Sequence, residues 1–314
     1  MKILMTGGSS FTGMHSVEAL LAKGHQLFCT STTVLSNLTG LSRQRFDHIL
    51  DRIVLIEECP FGSECFLDQI ATENFDICWH HGAWTENYRS WDFNIHQAIQ
   101  GNTFNCQQTL QHLKSHHCSN IVLTGSIFEG QDLNSPFTPY GLSKQMTRQM
   151  FEFYARQSNI HFGYIVIPNP FGPWDNPQKL MGYLLRHWFQ GLCPSIFALK
   201  SIQDNIPVDL LALGISDWML SWVEGRGQSI LRPSGYVSTL EEFVQKIAYE
   251  VQNRYNIATP FQTDPQEHHQ PSSLSNTQSF FPLYPCWNAQ DFWDATLTYT
   301  CNQISPSASA HLLS

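Results

Sequence analysis

Basic residues are scarce in this chain. It carries 17 Lys and Arg against 26 Asp and Glu, a formal charge of −9 over 314 residues. A surface without a basic stripe has nothing to exchange for the counterions of a polyanion, so nucleic acid and anionic membrane are not expected partners. No apolar run reaches the roughly 20 residues of a membrane-spanning helix. The opening MKILMTGG goes straight from a short strand into a glycine turn, without a secretory apolar region or cleavage site. The nine Cys are odd in number and contain no C-x-x-C. Together these features suit a reduced, cytoplasmic setting. His is plentiful, but no H-E-x-x-H occurs. His112 and His116 are spaced i, i+4, yet two ligands do not make a metal site. His80–His81 and His268–His269 are read as ordinary histidines, and no metal is expected.

What is present is a globular composition, 42% hydrophobic, long enough for a sizeable core and at most two lobes. Short continuous apolar runs alternate with longer stretches of helical period. Strands are expected over 2–6, 26–31, 52–56, 75–80, 120–125 and 161–167. Helices are expected over 13–25, 64–73, 92–115 and 139–157. Nearly continuous apolar strands separated by helices predict a parallel sheet covered on both faces, hence an α/β, doubly wound fold. After Pro168 the rhythm weakens. A helix capped at Asn176-Pro177 is expected to run to about 190. Residues 204–225 read as a strand passing into an amphipathic helix. Ser238 and Glu241 suggest a capping box. An irregular arm follows from about 258, with a frayed tail over 304–314. The expected division is a dinucleotide-binding domain over 1–168, joined again by 200–225, and a smaller C-terminal lobe over 169–303.

The segment TGGSSFTG (6–13) follows the first strand and opens the first helix. A dinucleotide pyrophosphate meets backbone N–H groups and a helix N-terminus at that position in doubly wound folds. Gly7 lets the chain turn, and Gly13 lets the helix approach the sheet. A glycine-rich turn alone is weak; its strand–turn–helix setting is what points to a dinucleotide.

Tyr140 precedes Lys144 by four residues at the expected start of the 139–157 helix. Roughly one chain in five of this composition would carry such a pair by chance. The setting, after the fifth strand and behind a glycine turn, favours chemistry. Residues i and i+4 share a helix face, so the ammonium lies near the phenol. A phenol with a pKa of about 10 is a poor base at neutral pH. A neighbouring cation favours phenolate and fits it to exchange a proton with a hydroxyl or carbonyl.

The glycine turn and the Tyr-x-x-x-Lys together resemble the extended short-chain dehydrogenase/reductase family, the NAD(P)-dependent epimerases and dehydratases, whose fold is Rossmann-like with a smaller substrate lobe. The family turn is T-G-G-x-G-F-[IL]-G; here Ser10 replaces the middle Gly and Phe11 keeps the aromatic. FDICWHHGA (75–83) resembles D-x-x-x-H-x-A-A, QGNTFNC (100–106) the helix segment bearing an Asn, here Asn102, IPNPFGPWD (167–175) the N-x-[FY]-G-P loop, and DNIPVDLLA (204–212) the V-D-D segment. The likeness covers about residues 1–250. It implies cofactor contacts at Gly7, Ser10, Phe11, Thr12, Gly13, Thr30, Ser31, Gly82, Ala83 and Pro168, with Lys144 on the nicotinamide ribose beside Tyr140. It also implies a hydroxyl at the end of the fifth strand. Thr124 takes that role if Ile127-Phe128 stands on the family's V-Y, with Ser126 the second choice and a substrate contact. Asn169 is the other implied substrate contact. Dehydratases carry Asp-Glu directly after this Thr. Gly125 and Ser126 stand there, with Glu129 displaced, which leaves epimerisation or carbonyl reduction.

The stretch after the second strand, FCTSTTVLSN (28–37), has hydroxyls and no acid. An acid would repel a 2′-phosphate, so NADP is favoured and NAD stays open. A nucleotide-diphosphate sugar is the expected substrate. Val166 and Gln203 stand where the family has Arg, and Arg186 and Arg232 are the candidate replacements. Two other readings compete. One is a reductase of a non-sugar carbonyl, with Trp84, Tyr88, Trp91, Phe171 and Trp174 lining the pocket. The other is a non-catalytic NAD(P)-sensing regulator. A homodimer through Met146, Met150, Phe153 and Tyr154 is a further expectation.

Overall fold

The computed structural model describes residues 1–264 and 273–304. In chain order the first elements are β1 (Lys2–Thr6), α1 (Phe11–Ala22), β2 (Gln26–Thr30), α2 (Gly40–Ile49), β3 (Val54–Ile56), α3 (Glu64–Thr72), β4 (Ile77–His80), α4 (Ile95–Thr103), α5 (Cys106–Ser115), β5 (Asn120–Ser126), α6 (Pro139–Gln157) and β6 (His161–Ile167). Then come β7 (Asn169–Phe171), α7 (Leu180–Phe189), β8 (Ser195–Ile196), β9 (Ile202–Pro207), α8 (Val208–Val223), β10 (Ile230–Leu231), β11 (Pro233–Ser234), β12 (Tyr236–Thr239), α9 (Leu240–Tyr255) and α10 (Ala289–Ile304).

Seven strands form one sheet in the order β10–β6–β5–β4–β1–β2–β3. All its pairings are parallel. The chain winds outward from β1 in one direction and, from β4, in the other. The carboxyl ends of β1 and β4 therefore flank the crevice where such sheets bind ligands. Ile3, Leu4 and Met5 on β1 and Ile77, Cys78 and Trp79 on β4 are fully buried, as covered faces require.

The chain divides into two compact units. The first holds Met1–Ile167, Leu211–Pro233 and Asn276–Gln278; the second holds Pro168–Leu210, Ser234–Ser275 and Ser279–Ser314. The second has a three-stranded sheet, β12–β9–β7, and an apolar core including Phe171, Leu184, Trp188, Phe243, Ile247 and Trp293.

α6 and β6 occupy the expected residues because their local signals agree. The Thr138 hydroxyl accepts the Gly141 N–H at 3.0 Å, and Pro139 fills the first turn. Other boundaries differ. α1 begins at Phe11, capped by Ser10, two residues before the expected start. The helix expected over 92–115 is two, because Asn105 adopts φ 49° and its amide donates to the Gly62 carbonyl at 2.9 Å. The helix expected from Asn176-Pro177 begins at Leu180. Asn176 folds a turn instead, its side-chain oxygen accepting the Gln178 N–H at 2.9 Å. The capping box is Thr239 with Glu242, one residue later than expected; Ser238 lies within β12, opposite Gln203. α2 occupies a stretch to which the sequence pattern assigns no element. The arm after 258 contains α10, which buries Phe292, Trp293 and Leu297. His268–His269 and the tail after Ile304 lie outside the described residues.

Candidate active site

β1 ends at Thr6, and Gly7 turns the chain at φ +76°. A Cβ on Gly7 would stand 2.6 Å from the Gly82 nitrogen, and one on Gly13 would stand 2.2 Å from the Gly7 carbonyl oxygen. Backbone passes too close at both positions for any side chain. α1 starts at once, with Ser10 Oγ accepting the Gly13 N–H at 3.0 Å. A helix N-terminus on a bare glycine turn, at the carboxyl end of the central strand, fits a dinucleotide pyrophosphate. Thr30 and Ser31 lie buried at the end of the neighbouring β2. Arg45 of α2 reaches the same turn, its Nη1 donating to the Ser9 carbonyl at 3.4 Å.

Lys144, on α6, is 4% exposed. Its Nζ donates to the Thr124 carbonyl at 2.8 Å and lies 6.0 Å from the centre of the Tyr140 ring. The helical interval thus brings ammonium and phenol together beside the end of β5. Burial pushes the Lys144 pKa down to about 8, against the opposing charge of Glu129. Burial raises the Tyr140 phenol, and Tyr88 and Glu129 add to that. Aromatic rings wall the phenol edge-on: Tyr88 at 5.4 Å, Phe93 at 5.6 Å and Phe128 at 6.4 Å between centroids.

The two candidate hydroxyls differ in what they touch. Thr124 Oγ accepts from Trp79 Nε1 at 2.9 Å and bonds His81 Nδ1 at 2.9 Å. Ser126 Oγ accepts the Phe128 N–H at 3.3 Å, and no described residue accepts its own hydrogen. Between them, Gly125 leaves room for another side chain. A Cβ there would stand 1.9 Å from the Tyr164 hydroxyl oxygen. That hydroxyl donates to Glu129 Oε1, which also accepts the Ser126 N–H at 2.9 Å. Arg148 Nε lies 3.4 Å from the other Glu129 oxygen. Glu129 is fully buried, and burial raises its carboxyl above the usual range.

Comparison with known proteins agrees with this geometry. Residues 3–201 match the NAD dependent epimerase/dehydratase family. The chain belongs to that family. An uncharacterised UDP-glucose epimerase of Bacillus subtilis is 24% identical over 217 residues, 63% of this chain and 65% of its own length. The CDP-abequose synthase of Salmonella typhimurium is 24% identical over 186 residues, 58% of each chain. The chain thus spans less than two thirds of these relatives. The fold is that of UDP-glucuronic acid 4-epimerase from Bacillus cereus, with a TM-score of 0.75 at 15% identity over 96% of this chain and 100% of that one. The UDP-glucose 4-epimerase of Thermotoga maritima gives 0.72 at 16% identity, over 97% and 100%.

In this epimerase/dehydratase family member, Gly7, Ser10, Thr12, Gly13 and Gly82 gather at the turn, with Phe11 opening α1 and Ala83 following Gly82. Tyr140, Lys144, Thr124 and Ser126 gather at the end of β5. Pro168 and Asn169 belong to the second unit, where Asn169 pairs with Asn205. Arg186 is held by the Pro177 carbonyl at 2.7 Å. Among the described residues no group of three His, Cys, Asp or Glu is placed to hold a metal ion, and no helix is long and apolar enough to cross a membrane. Sequence reasoning named Tyr88 as a lining aromatic but missed His81, the Glu129–Tyr164 pair, and Phe93 and Phe128 beside the Tyr140 ring. Ser10 and Thr12, both departures from the family turn, were the available signal for His81.

Proposed function

We propose that this protein is an NAD(P)-dependent epimerase or reductase of a nucleotide-diphosphate sugar, with Tyr140 as acid/base. The observation that carries this reading is the buried Lys144 ammonium beside the Tyr140 ring, anchored on the end of β5. A nicotinamide bound at the crevice would accept or supply hydride. Tyr140 takes a proton from the substrate hydroxyl or returns one to the carbonyl. Its phenol is held protonated by burial, so it needs the nearby positive charge of Lys144 to release that proton. Ser126 is the better placed of the two hydroxyls to bind the reacting oxygen, because its hydrogen is uncommitted and that of Thr124 is taken by the His81 contact. Gly125 and Ser126 stand where dehydratases carry an acid pair, which argues against water elimination.

The absence of an acid over Thr30–Asn37, with Arg45 beside the turn, favours NADP over NAD. We further propose a cytoplasmic homodimer through α6, where Met146 and Phe153 are exposed at 41% and 53%. The aromatic wall around Tyr140 supports a second reading, reduction of a non-sugar carbonyl. One screen separates them: purified protein with NADH and NADPH against nucleotide sugars and simple carbonyls. Turnover of nucleotide sugars alone supports the first reading, and turnover of simple carbonyls alone supports the second. Equal turnover by Tyr140→Phe would remove the mechanism from both.

A further inference from the structure

Ser10 and Thr12 are the two positions at which this glycine turn leaves the pattern T-G-G-x-G-F-[IL]-G. Both hydroxyls meet one imidazole. His81 Nε2 lies 2.9 Å from Ser10 Oγ and 3.0 Å from Thr12 Oγ. The opposite ring nitrogen, Nδ1, lies 2.9 Å from Thr124 Oγ. His81 is 7% exposed and is held neutral by burial and by the charge of Lys144.

The protons in this chain can be placed by elimination. Trp79 Nε1–H can only donate, so Thr124 Oγ accepts it. Thr124 is itself buried, so its own hydrogen needs an acceptor, and His81 Nδ1 is the one at hand. A neutral imidazole accepting at Nδ1 carries its hydrogen on Nε2. Nε2–H therefore donates toward Ser10 and Thr12. Ser10 Oγ also accepts the Gly13 N–H at 3.0 Å. With both oxygens used as acceptors, both hydroxyl hydrogens turn away from His81, and no described residue accepts either. They stand at the first turn of α1, the positive end of the helix dipole. Two uncommitted O–H donors at a helix N-terminus match an anion.

We propose that His81 is a positioning residue of the cofactor site: it fixes Ser10 and Thr12 with their hydroxyl hydrogens turned outward, as a two-hydroxyl clamp on the dinucleotide pyrophosphate. The clamp rests on dinucleotide binding at this turn and adds how this chain grips the phosphates. Its donors take the place of the close backbone approach that the missing glycine would allow.

The test is calorimetric titration of the full chain with ADP, which carries the pyrophosphate, and with adenosine, which does not. His81→Leu removes the orienting donor. Thr12→Val removes one hydroxyl at nearly constant shape. Each variant should weaken ADP about tenfold and leave adenosine within about twofold, the scale of one hydrogen bond to a charged group. Combining them should cost less than the product of the two, because His81 acts through Thr12. If His81→Leu fails to fold, Thr12→Val carries the test alone. Unchanged ADP affinity in the folded variants overturns the clamp. Parallel losses for ADP and adenosine also overturn it, since they would mark a general structural role. Wild-type protein that binds neither ADP nor NAD(P)H would fail the dinucleotide reading itself, and the clamp with it.

Discussion

Replacing Glu129 tests whether the end of β5 is held by its buried carboxylate. Glu129→Ala strips the acceptor from the Ser126 N–H and the Tyr164 hydroxyl, both inside the protein. Each orphaned donor costs about 1–3 kcal/mol. Arg148 loses one partner but keeps the Glu152 carboxylate at 2.9 Å and the Leu133 carbonyl at 2.7 Å, so its share is small. The sum is about 2–6 kcal/mol, a range that includes the cost of breaking a buried ion pair. For a chain of this length that lowers the melting temperature by roughly 3–12 °C. Glu129→Gln keeps an acceptor oxygen for both donors and should cost only about 1–2 kcal/mol. The two variants also differ in pH dependence. The folded carboxyl has a pKa raised above 4.5. A raised acid binds its proton more tightly when folded, so its contribution is fully present below the unfolded pKa and is lost as pH rises through the folded value. The advantage of wild type over Glu129→Gln should therefore shrink from pH 4 upward. Thermal melts followed by circular dichroism across that range read both effects. A Glu129→Ala protein within about 1 kcal/mol of wild type would refute the claim that this carboxylate organises the strand end.

Three other outcomes follow from the same geometry. Tyr140→Phe should lower turnover by about 10²–10⁴-fold while cofactor affinity, read by fluorescence titration, stays near wild type. The kcat/KM profile should fall on its alkaline side near pH 8, because Lys144 loses its cation through a pKa of about 8 in the free protein. Gly125→Ala should destabilise by about 1–3 kcal/mol or more in denaturant unfolding, since the new Cβ meets the Tyr164 hydroxyl oxygen at 1.9 Å.

Where several local signals coincide, the sequence is sufficient. α6 has its N-cap, its proline and its periodicity in agreement, and the chain adopts it as read. The capping box before α9 shows how a local signal fails. Ser238–Glu241 and Thr239–Glu242 fit the same spacing, and the chain uses the second, with Thr239 as the N-cap at the end of β12, a register that spacing alone does not choose. Asn105 breaks a helix that periodicity alone would continue, because its amide reaches Gly62. The site divides along the same line. The glycines and the Tyr-x-x-x-Lys are short-range patterns and legible. His81 with Ser10 and Thr12, Trp79 with Thr124, and Glu129 with Tyr164 are long-range contacts between residues with no shared spacing rule.

Those long-range contacts bear on the proposed choice between Thr124, the first candidate from the sequence, and Ser126, the second. Alternation along a strand puts both on one face of β5 and Gly125 on the other. On the first face Thr124 is tied through His81 to the glycine turn. On the second, the space beside Gly125 is taken by Tyr164, whose hydroxyl is tied through Glu129 to Arg148 on α6. Lys144 holds the peptide between them by the Thr124 carbonyl. Three consecutive residues thus join the glycine turn to the helix that carries Tyr140. Thr124 and Gly125 are engaged in that joint, which supports the proposal that Ser126 offers its hydroxyl to a substrate oxygen.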